Sequence, residues 1–161
     1  LVVNGDAAFN VMGDWAEGYF KELKKAPRTE FGWAPVPGTA GTFQFLSDSF
    51  VLPVGAKNRD AAIAWLTVCG SKEGQDAFNP IKGSIPARTD GDRSKYDTYL
   101  NEAMDAFKTN VGLPSIQHGA AVKQSFLVDY DAALADLATN HNVAKTQQML
   151  VDAAKVAGLG K

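Results

Sequence analysis

Apolar side chains recur at helical spacing through the second half of the chain, and gather only in short clusters before it. Tyr96, Tyr99, Leu100, Ala103, Met104 and Phe107 follow a 3–4 residue spacing that predicts a helix over 93–108 with one buried face. Val122, Phe126, Tyr130, Ala133, Leu134 and Leu137 predict a second helix over 120–139. Val143, Leu150 and Ala154 predict a third over 143–156, with Gly158 as its terminator. Upstream, Asn58 can cap a helix over 58–69 that Gly70 ends. Ser71 can start another that runs to Phe78, where Asn79-Pro80 is expected to break it. Asp14 suits the N-cap of a short helix in WAEGYFKELKK.

Strand signals are few and early. They lie in 6–12 (DAAFNVM), in 31–35 (FGWAP), and in TFQF and SFVLP within 42–53. Gly83 and two prolines make 80–90 a loop. Three or four short strands do not make a self-sufficient sheet. The pattern therefore predicts an α/β fold with a helix-rich second half, whose remaining strands lie elsewhere. The start, Leu1-Val2-Val3-Asn4-Gly5, has neither an initiator Met nor the pattern of a signal peptide, and reads as the interior of a longer protein.

Composition narrows the function. The 161 residues are 45% apolar and 21% charged, typical of a globular protein rather than a disordered one. The net charge is −2 with scattered basic residues, so no stripe addresses nucleic acid or an anionic membrane surface. No apolar run approaches the roughly 20 residues that span a bilayer. Cys69, the single cysteine, sits among apolar neighbours and is expected in the core. With it and two histidines a structural zinc site is not expected, nor is any other cofactor. The nucleophile-elbow, zinc-protease, phosphate-loop and dinucleotide-binding motifs are missing, and no carboxylate pair stands out as acid and base. Their absence lowers the expectation of catalysis.

Several segments, in order, resemble extracellular solute-binding proteins of sugar-specific ABC importers. They are GDAAF leading to VMGDW, then FGWAPVPG, then the helix pair in NRDAAIAWLTVCGSKEGQDAFN, then GSIPAR. The likeness is nearest to the glucose-binding members and implies part of a two-lobe periplasmic-binding-protein fold. It implies that 1–40 belong to the carboxy-terminal lobe and that 41–90 cross into the amino-terminal lobe. Residues 91–161 would then return as helices, with most of the amino-terminal half outside this sequence. The resemblance implies four ligand-binding residues: Trp15 in the Gly-Asp-Trp turn, Asp48 in FLSDSF, Lys82 in NPIKGSIPAR and His118 in SIQHGAA.

The chemistry of those four suits a pyranose. An indole covers an apolar sugar face. An ionised carboxylate accepts from two hydroxyls, an ammonium only donates, and an imidazole does either. The implied partners are a small sugar, the amino-terminal half and a membrane permease, and the implied place is periplasmic or extracellular, with or without a lipid anchor. Capture of a monosaccharide by hinge closure of the lobes is the expected function. A disaccharide or other solute is the alternative within the family, and a carbohydrate-active enzyme the alternative outside it. Trp33 and Trp65 are expected in the core.

Overall fold

A computed structural model describes residues 1–159. Six α-helices carry just under half of the described chain: α1 (Trp15–Glu22), α2 (Arg59–Gly70), α3 (Lys72–Lys82), α4 (Thr98–Thr109), α5 (Gln124–Asn140) and α6 (Val143–Val156). Two short strands, β1 (Thr42–Phe45) and β2 (Val111–Pro114), form a two-stranded sheet. The fold is α/β and helix-rich in its second half. Val111 N–H donates to the Gly41 carbonyl and Ser115 N–H to that of Phe45. Both bonds advance in the same direction along the two strands, so the pair is parallel.

The described residues divide into two compact units. The first holds 1–43 and 48–111; the second holds 44–47 and the chain from Gly112 onward. Each strand has residues in both units.

In the first unit, Tyr96, Leu100 and Ala103 are buried along α4 and the turn before it. Asp97 caps α4, its side chain accepting from Leu100 N–H. Ser71 caps α3 by accepting from Gly74 N–H. In the second unit, Phe126, Leu127 and Ala133 of α5 pack with Ala153 of α6 as the core. Asn142 caps α6 through Lys145 N–H.

Several sequence expectations change. Pro80 does not break its helix, because α3 runs two residues past it to Lys82. A proline there forfeits one bond near the end of the helix, and the stop falls to Gly83, whose φ of 80° suits a left-handed cap. The predicted strands over 6–12, 31–35 and 49–53 carry no strand; only a lone bridge from Pro27 to Phe31 marks the second. TFQF is a strand as expected, and its partner is VGLP, a segment outside the expected strands. The helix predicted from 93 starts at Thr98 after a 3₁₀ turn over Arg93–Lys95, and that from 120 starts at Gln124. Trp65 is 61% exposed rather than core, and α2 buries no residue. Cys69 is half-buried. Trp33 is half-buried, with its indole N–H donating to Glu102 and the Arg28 guanidinium 3.8 Å above its ring.

Candidate functional site

Two of the four ligand-binding residues implied by the sequence meet directly. Lys82 Nζ donates to Asp48 Oδ2, an ion pair between residues 34 apart in sequence. Lys82 is the last residue of α3, and Asp48 lies three residues after the end of β1. Both heads reach solvent, with side-chain exposures of 31% for Lys82 and 64% for Asp48. Phe78, one turn back on α3, has its ring centre 5.9 Å from the ammonium. Phe50 meets that ring edge-on at 6.4 Å. The pair is thus a charged, solvent-facing couple beside aromatic surface.

Glycines bring Trp15 to the same neighbourhood. A methyl group at Gly18 would sit 2.5 Å from the Lys82 carbonyl oxygen. A methyl at Gly83 would sit 2.5 Å from the Gly18 nitrogen and 3.1 Å from the Asp14 carbonyl oxygen. Only residues without a Cβ allow the first turn of α1 to lie this close to the end of α3. Trp15, between Asp14 and Gly18, is 41% exposed and folds its ring against Gly13. So Trp15, Asp48 and Lys82 share one region of the first unit.

A buried polar cluster fixes α1 from behind. Tyr99 hydroxyl donates to Asp14 Oδ1 at 2.6 Å. Lys21 Nζ donates to Asp97 Oδ2 at 2.7 Å and to the Pro80 carbonyl at 2.6 Å. Glu17, 5% exposed, lies 3.5 Å from Lys21 Nζ, and neither of its oxygens accepts a hydrogen bond. Burial and then the neighbouring Asp97 push its carboxyl up to about 7. Burial opposes ionisation of Asp97 too, but Glu17, Leu100 N–H and Lys21 together hold it below the usual carboxylate range. Sequence reading passed over this cluster, because Glu17 and Lys21 look like an ordinary i,i+4 surface pair.

His118 belongs to the second unit, in the turn after β2. The imidazole side chain bonds through Nδ1 to the Ser115 hydroxyl at 2.8 Å. Ser115 was also passed over; its burial, 2% exposed, is not visible in the string SIQHGAA. No group of metal-ligating side chains is assembled among the described residues. No helix among them is long and apolar enough to cross a membrane.

Comparison with known proteins gives this geometry a context. Residues 1–99 match the family of bacterial extracellular solute-binding proteins. The chain belongs to that family. An ABC transporter extracellular-binding protein of Pyrococcus horikoshii is 41% identical to this chain over 159 residues, covering 96% of the chain and 35% of that protein. A probable sugar-binding periplasmic protein of Mesorhizobium japonicum is 41% identical over 70% of the chain and 27% of its own length. A xylose/arabinose-binding protein of Haloferax volcanii is 37% identical over 75% of the chain and 27% of its own length. The chain thus spans about a third or less of the length of these relatives.

Proposed function

We propose that the protein carrying this chain is a sugar receptor for an ABC importer. It captures a monosaccharide, glucose foremost, and docks on a membrane permease outside the cytoplasm. Capture makes and breaks no covalent bond, so it needs neither catalyst nor cofactor. The proposed ligand residues are Trp15, Asp48, Lys82 and His118.

The observation that carries this reading is the Asp48–Lys82 pair beside the turn that bears Trp15. A carboxylate that only accepts and an ammonium that only donates, held together at a solvent-facing position, suit two adjacent hydroxyls of a sugar. The mutual pairing orients both heads before ligand arrives, which reduces the ordering cost of binding. Trp15 supplies an apolar face at the same place. The Haloferax relative, named for xylose and arabinose, supports a monosaccharide over a longer sugar. Family membership supports hinge closure as the means of capture.

The test is a tryptophan fluorescence titration of the whole protein with glucose, xylose and maltose. Saturable change with glucose, weakened roughly ten- to a hundred-fold by Asp48→Ala, fits the loss of a hydrogen bond to a charged group. A response to xylose alone keeps the receptor and changes the sugar. Response to maltose alone removes the monosaccharide reading, and silence to all three removes the sugar reading.

A further inference from the structure

Ser115 lies at the end of β2, and every polar group it has is committed. The Ser115 N–H donates to the Phe45 carbonyl at 2.9 Å, which continues the strand pairing. The Ser115 carbonyl accepts from Ala120 N–H at 3.0 Å and Ala121 N–H at 3.2 Å, closing the turn that follows. Ser115 Oγ accepts from the backbone N–H of His118 at 3.4 Å and lies 2.8 Å from His118 Nδ1. A buried serine thus organises a turn that holds an exposed imidazole.

That geometry constrains the proton on the ring. A buried hydroxyl that donates to nothing carries the full desolvation cost of its O–H. Among the described residues, His118 Nδ1 is the acceptor that the Ser115 hydroxyl reaches. The alternative, Nδ1–H donating to Oγ, would leave the buried hydroxyl hydrogen without an acceptor. In a neutral imidazole one nitrogen donates and the other accepts, and the bond made by one sets the role of the other. An accepting Nδ1 therefore places the proton on Nε2.

We propose that Ser115 is a positioning residue for ligand recognition, holding His118 in the Nε2–H tautomer so that the ring offers the sugar a donor. This rests on the reading of His118 as a ligand residue given above. His118 then addresses a lone pair on a sugar oxygen, not a hydroxyl hydrogen. Its role is the opposite of that of Asp48, which only accepts. A ligand oxygen without a hydrogen, such as an ether or a carbonyl, would satisfy His118 equally.

The experiment uses the whole protein, uniformly ¹⁵N-labelled, at an alkaline pH where imidazoles are neutral. Long-range ¹H–¹⁵N spectra report the tautomer of His118, assigned by its loss in His118→Ala. The expected result is a single Nε2–H form in the wild type, a mixed tautomer in Ser115→Ala, and recovery in Ser115→Thr, which keeps the hydroxyl. A wild-type ring protonated on Nδ1, or a tautomer untouched by Ser115→Ala, overturns the proposal.

Glucose and xylose titrations of the same variants read the functional consequence. Ser115→Ala should weaken binding about two- to ten-fold when His118 is present and have no further effect in His118→Ala. An equal loss in both backgrounds would make Ser115 merely structural and overturn the positioning role. His118→Ala binding as tightly as wild type would instead remove His118 from the ligand site. In that case, or if neither sugar binds, the ring spectrum alone still decides how Ser115 sets the tautomer.

Discussion

Gly18 approaches the Lys82 carbonyl so closely that a methyl group in its place would sit 2.5 Å from the oxygen. The obstacle is backbone at the end of a helix, not the tip of a movable side chain. Gly18→Ala should therefore push α1 away from α3, against the ordinary gain in helix propensity. Thermal unfolding should show a loss of about 1–3 kcal/mol, as for overpacking. Under the proposed function sugar affinity should fall as well, because the shift moves α1, which bears Trp15, away from Lys82. An alanine variant more stable than wild type would show that the two helices slide apart at no cost.

Glu17 gives a pH dependence whose sign follows from its burial. Its carboxyl is raised from an ordinary value of 4.5 to about 7 in the folded chain. Between those values the folded state holds a proton that the unfolded state has released. Stability therefore falls as pH rises across that window, by at most about 3 kcal/mol. Glu17→Gln keeps the shape and has no proton to lose. Its denaturant midpoint should stay level from pH 4.5 to 7 where that of wild type declines, and parallel pH profiles would count against a protonated Glu17.

Asp97 works in the opposite direction. Its carboxyl is held below the ordinary range in the folded state, so its contribution is present above that range and is lost as pH falls through it. Asp97→Asn should also remove the acceptor that fixes Lys21 and weaken the cap on Leu100 N–H. N-cap replacements cost about 1 kcal/mol, though asparagine retains capping ability, so most of the loss should come from Lys21. Unfolding measured at pH 3 and pH 7 should show a much smaller gap between variant and wild type at the lower pH.

Trp65 is exposed in the chain described, as are Ile63 and Val68 on the same helix. Large apolar side chains gathered on one element mark surface that something covers. The relatives are longer than this chain, and we expect additional chain of that kind, where the protein carries it, to cover α2. In the whole protein Trp65→Ser should cost about 3 kcal/mol or more, the order of a lost core aromatic. In the isolated 161-residue chain it should change little. Acrylamide quenching separates the cases: a Trp65 as accessible in the whole protein as in the isolated chain would defeat the expectation.

Helix existence was legible because it is local. Val143–Val156 matched its predicted span, and Arg59–Gly70 differed by a residue at each end, since apolar spacing and caps lie within one segment. Strand β2 was not legible, because VGLP has little strand character and gains it only by pairing with TFQF far upstream. Pro80 misled for a related reason: a proline rule presumes a helix that continues, and this one ends two residues later.

The candidate site divides the same way. The family likeness, the α/β class and the residue types at Trp15, Asp48, Lys82 and His118 were readable from the chain alone, because motifs and periodicity are properties of adjacent residues. Folding in three dimensions was needed to show that Asp48 meets Lys82, that Gly18 and Gly83 let the turn bearing Trp15 lie alongside, that Glu17 is buried near Asp97, and that Ser115 engages the His118 ring. Most of those relations join residues tens of positions apart. Even the short Ser115–His118 link depends on how a turn folds. Burial and hydrogen-bond geometry are set by packing, which no local pattern of residues encodes.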